Sequence, residues 1–193
     1  MYEYIRGAVA GLNPASVVIE ASGIGYLVNI SLNTYSKING KKDFHLLVHQ
    51  VVREDAHVLY GFAEKHERDL FRNLISVSGV GASTAIMMLS SLNPDEIASA
   101  VTTGDVNVLK AVKGIGAKTA QRIIIDLKDK LGKMTDSSQI LISLDNTLQN
   151  ESLSALVMLG FAKKDADKVV SKIIKDDPEA TLERVIKTAL KRL

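Results

Sequence analysis

Gly79-Val80-Gly81-Ala82-Ser83-Thr84-Ala85 returns 35 residues later as Gly114-Ile115-Gly116-Ala117-Lys118-Thr119-Ala120, identical at five of seven positions. Upstream, Leu74 and Val77 stand in register with Leu109 and Val112. Each copy reads as an apolar helix, a Gly-apolar-Gly hairpin and a second helix, one supersecondary unit used twice. Two glycines around one apolar residue let the backbone turn tightly while that residue plugs the space between the helices. The second helix then begins with unpaired N–H groups facing outward. Such a start attracts phosphate through free donors and partial positive charge, and it reads no base. Two copies would hold two nearby phosphates, one on each strand of a duplex. Lys118 and Arg122, one helical turn apart, add charge on the second copy. The expected DNA contacts are Gly79, Val80, Gly81, Ala82, Ser83 and Thr84 in the first copy and Gly114, Ile115, Gly116, Ala117, Lys118, Thr119 and Arg122 in the second.

Two nucleotide motifs fail on the same residues. Lys118-Thr119 match the end of a P-loop, but the glycines that motif requires fall on Val112 and Ala117. The third glycine of a dinucleotide fingerprint falls on Thr84 or Thr119. No nucleotide cofactor and no ATPase follow from them.

Upstream of the repeat the period is two. Tyr2 to Leu12 and Ser16 to Ala21 flank the turn pair Asn13-Pro14, and Gly25 to Ile30 follows the break at Gly23. Phe44 to Arg53 and His57 to Phe62 complete five strands, joined by Glu54-Asp55-Ala56. Five strands in some 60 residues suggest a small closed barrel of the OB type, with one helical turn expected within 33–39. From Glu64 the spacing becomes three and four, which predicts helices to Leu131. Residues 132–150 lack a sustained amphipathic pattern and read as a flexible linker. Three further helices are expected within 151–193, with Gly160 ending the first and Pro178 interrupting before the third. The fold class is therefore α+β and multidomain: 1–63 barrel, 64–131 tandem helix-hairpin-helix, 132–150 linker, 151–193 three-helix unit.

Composition narrows the function. In 193 residues there is no cysteine, which excludes disulfides, thiol nucleophiles and Cys-type metal sites. Net charge is +2, and residues 64–134, with ten basic and eight acidic side chains, hold all of that excess. A locally basic face matters more to a polyanion than the total. The start, Met1 to Arg6, has no basic region leading into an apolar stretch, and no apolar run approaches the ~18 residues of a membrane span. The expectation is a protein of the cytoplasm with no membrane contact. His45 and His49 lie four apart without a carboxylate cluster, so no metal site is expected, and no catalytic constellation stands out.

The barrel with Val51-Val52-Arg53-Glu54-Asp55-Ala56 and Leu59-Tyr60-Gly61-Phe62, followed by two hairpin units, resembles the RuvA family over the whole chain. These are the Holliday-junction-binding subunits of the bacterial RuvAB branch-migration complex. The resemblance implies a non-catalytic subunit that binds four-way junction DNA in recombination and repair and recruits the RuvB ATPase, with the RuvC resolvase as a further partner. It implies a homotetramer, and the sequence does not choose between that and a face-to-face octamer. Glu54 and Asp55 would form an acidic pin near the crossover, repelling phosphates while the hairpins hold the arms. The family often carries Pro-Lys after the first hairpin, where this chain has Ala82-Ser83, so Lys118 and Arg122 carry more of the charge here. The C-terminal unit is similar to small ubiquitin-associated-type bundles and to the family's motor-binding domain. Leu156, Leu159, Phe161, Val169, Ile173, Val185, Ile186 and Leu190 are its apolar set, and Leu159 and Phe161 are its expected motor contacts. The competing class is a helix-hairpin-helix repair enzyme, a glycosylase or nuclease, which would need a lysine nucleophile in a pocket or clustered metal carboxylates.

Overall fold

The computed structural model describes residues 2–139, 144–177 and 180–193. Five strands, β1 (Tyr4–Asn13), β2 (Ser16–Ala21), β3 (Ile24–Ile30), β4 (Asp43–Val52) and β5 (His57–Phe62), close a barrel in the order β1-β2-β3-β5-β4. All pairs are antiparallel except β3 with β5. Ile5, Val17, Ile19, Val28, Ile30, Leu46 and Val48 alternate inward to fill it. A side chain on Gly61 would have its Cβ 2.6 Å from Leu46 Cδ2 and 2.7 Å from Val28 Cγ1, so glycine lets β5 run this close to the packed interior. Between β3 and β4 lies α1 (Leu32–Ile38), capped by the Ser31 hydroxyl, where a single turn was expected.

The helices that follow are α2 (Lys65–Ile75), α3 (Ala82–Ser91), α4 (Pro94–Thr103), α5 (Val106–Lys110) and α6 (Ala117–Gln139). Tyr60 and Phe62 of β5 share one apolar cluster with Leu70, Phe71, Leu74, Met88, Leu89, Ile97, Leu109, Ile123 and Leu127. The expected boundary near residue 63 is thus a change of secondary structure without a break in packing, and Met1–Thr135 form one compact unit. Arg68, 3% exposed, reinforces the joint: its guanidinium donates to the Glu3 backbone carbonyl at 2.9 Å and meets the Glu3 carboxylate at 2.5 Å. The hydrogen bond from Arg68 holds the Glu3 carboxyl below its ordinary pKa.

The second unit, Asp136–Leu193, contains α7 (Leu144–Met158), α8 (Lys163–Asp176) and α9 (Leu182–Leu190) around Leu156, Ala166, Val170, Ile173, Val185 and Ala189. The stretch 132–150 differs from the expected linker: α6 continues through Gln139 and α7 begins at Leu144. Helix adds cheaply to an existing helix, and apart from Gly132 the residues from Leu131 to Gln139 contain no strong breaker, so the missing amphipathic stripe does not end it. Residues 140–143 and Pro178 lie outside the described residues.

Candidate nucleic-acid interface

Both hairpins fold alike. The Val80 N–H donates to the Val77 carbonyl at 3.0 Å, and the Ile115 N–H to the Val112 carbonyl at 3.1 Å. Gly79 and Gly114 have φ of +91° and +90°, the left-handed region that glycine enters without steric cost. Val80 and Ile115, each 5% exposed, are the plugs, so their side chains serve the core and only their backbone can face a ligand. Ala82 is buried as well, which leaves its backbone for the expected contact, whereas Ala117 is exposed. Ser83 and Lys118 are exposed, and Thr84 and Thr119 are half-buried.

The helices behind the hairpins both start on a glycine, Gly81 and Gly116. The first backbone bonds of α3 and α6 run from the Ala85 N–H to the Gly81 carbonyl and from the Ala120 N–H to the Gly116 carbonyl, each 2.9 Å. An α-helix leaves the N–H groups of its first turn without intrahelical acceptors. Gly81 supplies no side-chain cap, and neither helix has an acid in its first turn. α4 shows the ordinary solution: Asn93 and Glu96 form a capping box there, with Asp95 and Glu96 facing the dipole. Side chains built on Gly79, Gly81, Gly114 and Gly116 would meet nothing within 4 Å, so both tips face open space. Arg122, expected as a phosphate cation, is exposed and also reaches across to the first hairpin, donating to the Ser78 carbonyl at 3.3 Å.

Glu54 and Asp55 are both exposed at the tip of the β4–β5 hairpin, closed by the Arg53 N–H on the Ala56 carbonyl at 2.8 Å. In the second unit the turn after α7 runs through Gly160, φ +99°, with the Gly160 N–H on the Val157 carbonyl and the Phe161 N–H on the Leu156 carbonyl. That turn folds Phe161, one of the two expected motor contacts, back until it is half-buried against the core. Leu159, the other expected motor contact, is 61% exposed, and Met158 beside it, which was not expected, is 85% exposed. Leu190, expected in the apolar set, is exposed too.

Sequence reasoning missed one polar cluster. Glu67, 1% exposed, accepts hydrogen bonds from the Ser31 hydroxyl and, at 2.7 Å, from the Thr34 hydroxyl. Burial pushes its carboxyl above the ordinary pKa, against the pull of those hydrogen bonds. A signal was present: Glu67 shares the inward spacing of Leu70, Phe71 and Leu74. His49, half-buried with its edge toward Phe71, is held below its ordinary pKa by burial and then by Arg72 and Arg68. Among the described residues no group of three or more His, Cys, Asp or Glu could hold a metal ion, and no helix is long and apolar enough to cross a membrane.

Three family descriptions match consecutive parts of the chain. They are the RuvA N terminal domain over residues 1–61, the SAM-like helix-hairpin-helix tandem over 71–129, and the RuvA C-terminal domain over 147–193. The chain is 52% identical to a protein of Bacteroides thetaiotaomicron, 53% to one of Christiangramia forsetii and 50% to one of Flavobacterium psychrophilum, with all of both chains covered each time. Each of these relatives is named Holliday junction branch migration complex subunit RuvA. With half its residues shared from end to end and all three domains matched in order, the chain belongs to the RuvA family.

Proposed function

We propose that this protein binds four-way DNA junctions by shape and recruits a separate ATP-driven motor, the RuvB ATPase, for branch migration in recombination and repair. The observation that carries the reading is the pair of matching helix starts, each on a glycine behind an open tip. Backbone donors at such starts bind phosphate without reading sequence, so what they recognise is the spacing of strands. Glu54 and Asp55, exposed on a tight turn, act as an acidic pin that keeps phosphates from the centre of a junction. Four copies around the crossover would supply one pair of hairpins to each arm, which supports a homotetramer. The protein itself is non-catalytic, and ATP hydrolysis belongs to the motor. The RuvC resolvase is a further partner for the same junction.

Motor binding falls to the second unit, where Met158 and Leu159 offer exposed apolar surface at the end of α7. Localisation follows the substrate: a protein working on chromosomal DNA in a bacterium is cytoplasmic.

Binding to junction, duplex and single-stranded DNA, with and without magnesium, tests the reading. Tight, sequence-independent junction binding without strand cleavage is expected, weakening steeply with salt. Magnesium-dependent cleavage or base excision would instead make the protein a repair enzyme. A chain ending at Gln139 is expected to keep junction binding and lose stimulation of the ATPase.

A further inference from the structure

We propose that Ser31, Leu32, Asn33 and Thr34 form a joint fixing the acidic turn relative to the first hairpin, and that Asn33 and Glu67 are positioning residues for preferring a junction over plain duplex. The inference rests on the junction reading above and names the part of the fold that makes it geometrically sharp.

These four consecutive residues at the exit of β3 all bond to the helical part of their unit. The Ser31 hydroxyl accepts from the Thr34 N–H at 3.0 Å and donates to Glu67 on α2. The Thr34 hydroxyl accepts from the Ala63 N–H at 3.0 Å and donates to the other Glu67 oxygen at 2.7 Å. The Leu32 N–H donates to the Ser90 hydroxyl at 3.1 Å, and that hydroxyl donates in turn to the Ile86 carbonyl. The Asn33 amide donates to the Leu89 carbonyl and, at 3.3 Å, to the Leu92 carbonyl. One barrel segment therefore holds α2 through a buried carboxylate and holds the C-terminal end of α3 through two carbonyls.

The other end of α3 is the first hairpin. Apolar contacts are non-directional and tolerate small rotations, whereas a fully satisfied buried polar network specifies one arrangement. A ten-residue helix is about 15 Å long, so a tilt of roughly 10° about its C-terminal end would carry the hairpin about 2–3 Å. That shift is comparable to a whole hydrogen-bond length. A plain duplex needs only hairpins of correct local shape. A junction needs the hairpins and the acidic turn, which the barrel carries, at a fixed separation.

Asn33→Ala and Glu67→Gln in the full chain test the joint. The junction-to-duplex preference is expected to fall roughly 3- to 10-fold, the range of a lost hydrogen bond, with duplex affinity and its salt slope unchanged. Equal losses on junction and duplex would mean a merely structural role and overturn the proposal. Because the chain has no cysteine, Val52→Cys with Ser99→Cys takes a pair of spin labels across the joint without DNA. Asn33→Ala should broaden that distance distribution, and an unchanged distribution overturns the proposal whatever the DNA results. Should Glu67→Gln fail to fold, the half-buried Asn33 decides alone. A wild-type chain without junction preference would defeat the junction reading, while broadened distances in Asn33→Ala would still support the joint.

Discussion

The two hairpins share a backbone and differ in almost everything a ligand would feel. Their left-handed glycines agree to one degree, and their plugs are equally buried. Yet Ser78, Ser83 and Met87 of the first stand where the second has Lys113, Lys118 and Arg122. The first also buries Ala82, whose counterpart Ala117 is exposed. Shape in this motif is set by Gly-apolar-Gly and one plug, which leaves the surrounding surface free to gain or lose charge. Around its tip the first copy offers backbone and hydroxyl groups, and the second adds exposed cations.

The strongest way to break the equivalence of shape is through the plugs. Ile115→Ala should destabilise the first unit by about 2–5 kcal/mol, and Val80→Ala by less because fewer methyl groups leave. Denaturant titration reads both, and a larger loss for Val80 would mean that the two interiors are packed differently. Glycine offers a gentler probe. Gly79→Ala and Gly114→Ala should each cost about 1–2 kcal/mol for the left-handed backbone alone, since the new methyl meets nothing within 4 Å. Unequal midpoint shifts would contradict the shared geometry.

Charge is where the copies should part. Lys118→Ala should weaken binding to every DNA sequence and flatten the salt slope by ~1, whereas Ser83→Ala leaves the slope alone. Ser83→Lys sharpens the contrast: it should steepen the slope by ~1 if the first hairpin meets a phosphate as the second does. An unchanged slope would mean that only the second copy faces the backbone.

The smallest effect concerns the ground on which the first hairpin stands. Glu67 has its pKa raised in the folded state by burial, opposed by the Ser31 and Thr34 hydroxyls and by Lys37 of α1, with Glu64 adding to the rise. The unfolded chain therefore loses this proton at lower pH than the folded one. The contribution of Glu67 to stability is present below the ordinary pKa of 4.5 and declines as pH rises through the folded pKa. Melting from pH 4 upward should show that decline in the wild type and less of it in Glu67→Gln. Identical profiles would remove Glu67 as its source.

What was legible in the sequence was local. Each copy of the glycine hairpin, its plug, each alternating strand and the acidic turn are written within a dozen residues. The joint was not, because residues 31–34 meet partners between 63 and 92, and no short window holds both sides. Glu67 on an apolar stripe hinted that something polar waited opposite without saying what. The half-burial of Phe161 was not legible either, because it follows from the turn at Gly160, which brings the Phe161 N–H back to the Leu156 carbonyl. The reach of α6 was hidden for another reason: amphipathic periodicity reports burial, and a helix can continue where no burial pattern marks it.

The bond from Arg122 to the Ser78 carbonyl gives the hairpins a mechanical character. It joins the backbone of the first tip to a side chain behind the second, beyond the core that both already share. At 3.3 Å on an exposed surface it is also a weak link, and it gives way before the buried plugs do. The two tips are thus tied twice, by their common core and by a crosspiece that yields first. That response suits a protein whose DNA must be held and still allowed to slide.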